Sequence, residues 1–300
     1  MTRRVLLLTH TGREDACEVA LACCRALSAH GIVVRMPAGE MADLGISPED
    51  PDIRVETMAE GEQAGADCEL ALVLGGDGSI LRAAEVTHAT GTPLLGVNLG
   101  HVGFLAEAEQ DDVESTIEER TTLDVRVVRD GEVVTSTFAL NEASVEKAAR
   151  ERMLEVVVEV DGRPLSRWGC DGVVCSTPTG STAYNFSAGG PIVWPQVDAL
   201  LLVPISAHAL FARPLVVAPT SVMAVEVLAN TEGSGVLWAD GRRAVDLPPG
   251  ARIEVRRGER PVRLVRLHRA PFTDRLVAKF GLPVEGWRGS AERRRRGEAP

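Results

Sequence analysis

Near Thr122 the spacing of apolar residues changes from one period to another, and this limits the 300-residue chain to two architectures in succession. Before that point an apolar run, Val5–Leu8, is followed by "DACEVALACCRALSAHG", in which Ala16, Val19, Ala20, Cys23, Cys24 and Leu27 recur at helical spacing. Asp15 with Glu18 reads as an N-cap and Gly31 as a stop. Then come the strand "IVVRM", a polar proline-containing stretch, a strand ending at Leu74, a helix from about Ser79 to His88, and the strand "PLLGVN". Strand alternating with helix predicts an open, mostly parallel α/β sheet over residues 1–122.

After Thr122 the pattern is β only. "LDVRVVRDGEVVTSTFAL" alternates apolar and polar residues around Asp130-Gly131, and "LEVVVEVDGRPLS" repeats the device around Asp161-Gly162, the dipeptide favoured in two-residue hairpin turns. Further β signals at "PLVVAPTSVMAVEVLA", "GVLWADGRR" and "RIEVRRGERPVRLVRL" predict a mainly β, sandwich-like domain over residues 123–270. "FTDRLVAKFG" predicts a short helix ended by Gly281, within a segment 271–290 that packs back on the first domain. Residues 291–300, with "ERRRR", read as a disordered, solvated tail.

A formal net charge of −11 disfavours general binding to nucleic acid. The six cysteines show no C-x-x-C spacing and read as reduced thiols, and the six histidines form no zinc-ligand pattern. "MTRRVLLLTHTG" has too short an apolar run for a signal peptide, and no segment approaches the ~18 apolar residues of a membrane helix. A cytoplasmic protein without a membrane partner is expected.

Chemistry concentrates in two stretches. In "ALVLGGDGS", Gly75, Gly76 and Gly78 let the backbone turn sharply beside Asp77 at the junction of a strand and a helix. That turn alone is equally a plain strand-to-helix connection; in the functional reading its N–H groups face phosphate oxygens and Asp77 binds a hydroxyl. A P-loop is excluded because neither lysine, Lys147 or Lys279, follows a glycine, and the dinucleotide fingerprint fails at Leu81. In "CDGVVCSTPTGSTAYNFSAGGPIVWP", hydroxyls at Ser176, Thr177, Thr179, Ser181, Thr182, Tyr184 and Ser187 crowd among glycines. They suit nucleoside recognition or, more plainly, a polar loop. "NEASVEK" adds Asn141 and Glu142, suited to a base edge and a ribose diol.

Together "GGDGS", "GVNLGHVGFL", "NEASVEK", "DGVVCSTPTGSTAYNFSAGGPI" and "DGRR", in this order, resemble the ATP-dependent NAD kinases, in particular those of actinobacteria, from about Val5 to Trp287. The S-T-P-T-G-S-T-A-Y run is specific to that family; G-G-D-G is shared with diacylglycerol and sphingosine kinases. The resemblance implies transfer of the ATP γ-phosphate to the 2′-hydroxyl of the adenosine ribose of NAD, with Asp77 as general base and Mg²⁺ bridging phosphates held by Gly75, Gly76 and Gly78. The implied NAD contacts are Asp77, Gly78, Arg82, Asn141, Glu142, Asp171, Thr179, Thr182, Ala183, Tyr184, Asn185, Phe186 and Ser187, with Arg152 and Arg242 less constrained by spacing. It also favours a homodimer or homotetramer. One departure is Gly169, where the wider family often has a basic residue; Trp168 and Arg167 stand beside it. A lipid kinase would show an apolar slot or a membrane-docking face, and a non-catalytic NAD sensor would have no use for Asp77.

Overall fold

Arg4–Thr9 (β1) is apolar on both faces and buried throughout its length after the first residue, as suits a strand covered on two sides by helices. The computed structural model describes residues 2–59, 61–98, 105, 116–149, 152–231, 233–267 and 271–284. By packing, the chain divides into two units, residues 1–118 with those from 264 onward, and residues 119–263.

In the first unit β1 is followed by α1 (Glu14–Ala29), β2 (Val33–Met36), α2 (Ala38–Asp43), β3 (Val55–Thr57), β4 (Leu70–Leu74), α3 (Asp77–Thr87), β5 (Leu94–Val97) and β6 (Thr116–Arg120). The expected capping role of Asp15 is not found. Arg13 is the N-cap of α1, and Asp15 lies in the first turn, ion-paired with Arg13 at 2.6 Å, where a negative charge complements the helix dipole. Gly31 does end the helix region, with φ of 76° and its N–H on Ser28 O at 2.9 Å. The polar proline-containing stretch contains α2 and β3, both too short to carry a measurable period.

The second unit comprises β7 (Leu123–Arg129), β8 (Glu132–Ala139), β9 (Glu142–Lys147), β10 (Leu154–Val160), β11 (Arg163–Cys170), β12 (Gly172–Ser176), the short helix α4 (Tyr184–Ser187), β13 (Leu200–Ile205), β14 (Leu215–Val217), β15 (Met223–Val227), β16 (Gly235–Ala239), β17 (Arg243–Leu247) and β18 (Arg252–Arg257). The chain returns to the first unit through β19 (Val262–Arg266) and α5 (Phe272–Phe280), which ends at Gly281 in the left-handed conformation. Two six-stranded sheets, β11-β10-β15-β18-β7-β8 and β14-β13-β12-β9-β16-β17, form the second unit. Their inward residues, among them Val156, Trp168, Val173, Leu202, Val225 and Leu237, share one core, which makes this unit a sandwich. Asp130-Gly131 and Asp161-Gly162 close hairpins with positive φ at both residues, the geometry that Asp-Gly favours.

The first unit's sheet runs β3-β2-β1-β4-β5-β19-β6, so the expected α/β fold class with a following β sandwich is what the chain adopts. The boundary at its C-terminal side differs from the sequence expectation. β19 alternates like its β neighbours in sequence, yet Leu264 pairs with Leu94 in the parallel sheet. Alternation reports one buried face and is silent about which sheet buries it. The residues 99–104 of "GVNLGHVGFL", and the tail 291–300 with 285–290 before it, lie outside the described residues.

Leu264 and Leu94 are both almost fully buried. Leu264→Ala is expected to destabilise the protein by about 2–5 kcal/mol, the usual range for such a truncation, read as a lower midpoint in denaturant unfolding.

Candidate functional site

In the first unit the sheet order reverses between β1 and β4, the point where open α/β sheets place ligands beyond the strand ends. At the end of β4 the chain turns through Gly75 (φ 150°), whose N–H bonds Val97 O at 2.9 Å. A Cβ at Gly75 would collide with the Ser79 side chain. The helix α3 begins two residues earlier than its apolar period suggests, with Gly76 as N-cap, so Gly78 and Asp77 sit in its first turn. Asp77 Oδ1 accepts the Leu105 N–H at 3.0 Å. The Leu105 carbonyl in turn accepts from Arg266 at 3.0 Å, a buried arginine of β19 that also pairs with Glu118 at 3.1 Å.

Arg82, on the same helix, pairs with Glu40 of α2. Glu40 is buried, and its other oxygen accepts the Thr9 N–H at 2.8 Å, which ties the end of β1 to α3. Thr9 Oγ1 is buried there without a hydrogen-bond partner.

In the second unit a cavity of about 440 Å³ is lined by Glu142, Ser144, Glu146, Tyr184, Trp238 and Gly241. Glu142 opens β9 and lines the cavity, and Asn141 precedes it in the chain. Glu142 is only 7% exposed, and its Oε2 has no hydrogen-bond partner. Burial, with the charges of Asp240 and Glu146, pushes its carboxyl up to about 8, against a weaker opposing hydrogen bond from the Tyr184 N–H. Tyr184, on α4, is hydrogen-bonded to Glu146, and burial with the neighbouring carboxylates of Glu146, Glu142 and Asp171 holds its phenol above the usual range.

The loop between β12 and α4 is pressed onto Asn141. A Cβ at Gly180 would collide with the Asn141 backbone, and the Asn141 carbonyl accepts the Thr177 N–H at 2.9 Å. Much of the hydroxyl series is used within the protein. Ser176 and Thr177 donate to the backbone of residues 140–141, at 3.2 Å and 2.7 Å, and Ser181 exchanges bonds with Val193 at 3.1 Å and 3.0 Å. Thr179 is buried, Thr182 donates weakly to Thr179 O at 3.4 Å, and Ala183 leads into α4. Asn185 is wholly buried; its amide donates to Pro191 O at 3.2 Å and Ser181 O at 3.4 Å, and only Oδ1 lacks a partner. Phe186 and Ser187 are exposed beside it.

Asp171 is ion-paired with Lys147 at 2.6 Å, and that hydrogen bond holds its carboxyl below the usual range. Arg152 and Arg242 are exposed, and neither lines the cavity, although Arg242 follows Gly241.

The chain has relatives among known proteins. The ATP-NAD kinase N-terminal domain family matches residues 5–124, and the ATP-NAD kinase C-terminal domain family matches residues 140–267. The chain belongs to the ATP-NAD kinase family. The NAD kinase of Leifsonia xyli subsp. xyli (strain CTCB07) is 59% identical over 96% of this chain and 97% of its own. NAD kinase 2 of Streptomyces coelicolor is 58% identical over 96% and 97% of the two chains. Among solved structures, yeast NADH kinase complexed with NADH has the same fold, with a TM-score of 0.80 at 24% identity, covering 95% of this chain and 89% of that one.

Against the wider NAD kinase pattern, Gly169 leaves room that Met153 fills, since a Cβ at 169 would collide with the Met153 sulfur. Arg167 does not stand in for the missing basic residue: it pairs with Glu155 at 2.9 Å. Sequence reasoning passed over Glu40, Glu146, Trp238 and Asp240. "GVLWADGRR" reads as a β segment that ends in the family motif "DGRR", and no local signal marks which of its residues face a cavity. Burial pushes the thiols of Cys170 and Cys175 up to about 12, so both are inert.

Glu142 keeps a proton in the folded chain at pH values where the unfolded chain has lost it, so its share of stability falls as pH rises from its ordinary value near 4.5 through about 8. Glu142→Gln is therefore expected to raise the thermal midpoint of the ligand-free protein relative to wild type above that range and to leave it unchanged below pH ~4, as followed by calorimetry.

Proposed function

We infer that this chain is an NAD kinase, transferring the γ-phosphoryl group of ATP to the 2′-hydroxyl of the adenosine ribose of NAD and releasing NADP and ADP. One observation carries this: Glu142, a buried acid whose Oε2 has no hydrogen-bond partner, lines a cavity walled by Tyr184 and Trp238, in a chain 59% identical to an NAD kinase. A nucleoside supplies what such a cavity lacks, ribose hydroxyls to donate and a flat base to lie on an aromatic ring. Asn141 offers an amide to the base edge. Thr179, Thr182, Ala183, Tyr184, Asn185, Phe186 and Ser187 shape the loop against which the nucleotide rests. Asp171, held by Lys147, and the exposed Arg152 and Arg242 are further contacts by family resemblance.

A secondary alcohol is a poor nucleophile at neutral pH, and Asp77 is the base that takes its proton as the phosphorus–oxygen bond forms and ADP leaves. The Leu105 N–H keeps that carboxylate oriented. Gly75, Gly76 and Gly78 bring backbone N–H groups to the donor phosphates at a helix start, and Arg82, paired with Glu40, is a contact to NAD by family resemblance. Among the described residues no three His, Cys, Asp or Glu side chains gather to hold a metal ion. By family resemblance a divalent cation such as Mg²⁺ comes with ATP and neutralises phosphate charge.

The six cysteines are free, which suits the cytoplasm, and no described helix is long and apolar enough to cross a membrane. A homodimer or homotetramer follows from the family resemblance, with Leu210 and Phe211 exposed as apolar side chains on the second unit.

Incubation with ATP, Mg²⁺ and NAD is expected to yield NADP, and its absence overturns the assignment. Asp77→Asn keeps the shape but cannot accept the proton. Its turnover is expected to fall roughly 10²- to 10⁴-fold with NAD affinity retained; activity within a few-fold of wild type removes Asp77 from the role of base.

Glu142→Ala leaves ribose hydroxyls without their acceptor. At about 1.5–3 kcal/mol for a hydrogen bond to a charged group, NAD should bind about ten- to a hundred-fold more weakly while ATP binding holds. Titration calorimetry with each nucleotide separates this from an equal loss for both, the sign of damaged folding.

A further inference from the structure

Three Asp-Gly turns close hairpins in the second unit, and their aspartates, Asp130, Asp161 and Asp240, adopt left-handed φ values of 51°, 53° and 53°. Asp130 and Asp161 are exposed, as turn residues ordinarily are. Asp240 is only 7% exposed. A two-residue turn needs an aspartate's tolerance of positive φ and has no need of a buried carboxylate, which is costly unless several donors meet it.

The donors that meet Asp240 are two backbone N–H groups just before β9 and the guanidinium of Arg243 at the start of β17. Its Oδ1 accepts the Asn141 N–H at 2.7 Å and the Leu140 N–H at 3.0 Å, and Oδ2 accepts the Leu140 N–H and Arg243, each at 3.0 Å. The Asp240 N–H donates to the Glu142 carbonyl at 2.9 Å. Arg243 is itself anchored, stacked 4.5 Å from the Phe138 ring centroid and donating to the Phe138 carbonyl at 2.9 Å. Trp238 and Gly241, on either side of Asp240 in sequence, line the cavity that Glu142 faces.

We propose that Asp240 is a positioning residue for NAD, clamping Asn141 and Glu142 through the backbone. It rests on the assignment of Asn141 and Glu142 as NAD contacts. The charges that face Glu142 are Asp240 and Glu146, which oppose its ionisation, and the Tyr184 N–H, which favours it. Arg243 lies on Asp240, and the Tyr184 hydroxyl is bonded to Glu146. Ribose hydroxyls donating to Glu142 favour its carboxylate, so NAD binding expels a proton and tightens as pH rises toward about 8. Without the Asp240 charge the same transition falls at lower pH.

The test is titration calorimetry of the full chain with NAD across pH ~6 to 9, on wild type, Asp240→Asn, Asp240→Ala and Glu142→Gln, with KM for NAD and for ATP measured alongside. Asp240→Asn retains Oδ1 as the backbone acceptor and removes the charge, so the pH midpoint of NAD affinity is expected to move to lower pH. Asp240→Ala loses the clamp as well, and KM for NAD should rise about ten-fold or more while KM for ATP stays within about two-fold. An unmoved midpoint in Asp240→Asn overturns the proposal, as does a parallel rise of both KM values in Asp240→Ala, the mark of a structural role. If Asp240→Ala does not fold, Asp240→Asn decides alone. Glu142→Gln should flatten the pH dependence. If it instead keeps wild-type affinity and pH dependence, the Glu142 assignment falls and this proposal with it; a flat Glu142→Gln beside an unmoved Asp240→Asn overturns the role of Asp240 alone.

Discussion

A carboxylate withdrawn from water must be paired, hydrogen-bonded or protonated, and the candidate sites of both units are organised by that demand. Among the described residues three acids are buried: Glu40, Glu142 and Asp240. Glu40 meets it in full, with the Thr9 N–H on one oxygen and Arg82 on the other, and so joins the end of β1 to α3. Asp240 meets it with two backbone N–H groups and a guanidinium. Glu142 does not meet it, since Oε2 is buried without a hydrogen-bond partner and the charge of Asp240 adds to the cost of ionising it.

The S-T-P-T-G-S-T-A-Y loop works mainly by holding itself and Asn141 in place. Ser176, Thr177 and Ser181 direct their hydroxyls at backbone groups, and Gly180 admits the Asn141 carbonyl where any side chain would exclude it. A loop fixed by its own hydrogen bonds presents its remaining groups with little conformational entropy left to lose on binding. The polar lining of the cavity comes instead from Glu142, Ser144, Glu146 and Tyr184, with Trp238 beside them.

Much of the fold was legible because period reports burial directly. The helical spacing in α1, the apolar run of β1 and the alternation around Asp130-Gly131 and Asp161-Gly162 all became the elements they imply. Short elements escaped, α2 and β3 above all, because three to six residues hold too little of a period to detect. The cap of α1 was misplaced because Asp15 binds Arg13 from within the first turn, and carboxylates favour that whole turn, not the cap position alone. In the site, the motif glycines and Asp77 were visible as a strand-to-helix turn. Glu40 and Asp240 were not, since an acid in a polar stretch or a turn looks solvated until the packing above it is known.

By itself the sequence determined the α/β unit followed by a β sandwich, the turn chemistry of the hairpins, and the residue types gathered in each motif. These follow from local sterics and from the period of burial, which neighbours in sequence carry between them. Tertiary structure alone decided that β19 pairs with β5, that Arg266 is buried behind Leu105, and that Asp240 turns inward while Asp130 and Asp161 face water. Each of these depends on groups brought together from as many as 170 positions apart, as Leu94 and Leu264 are; such pairings are set by which partner buries or bonds a residue, a property that no local window of sequence contains.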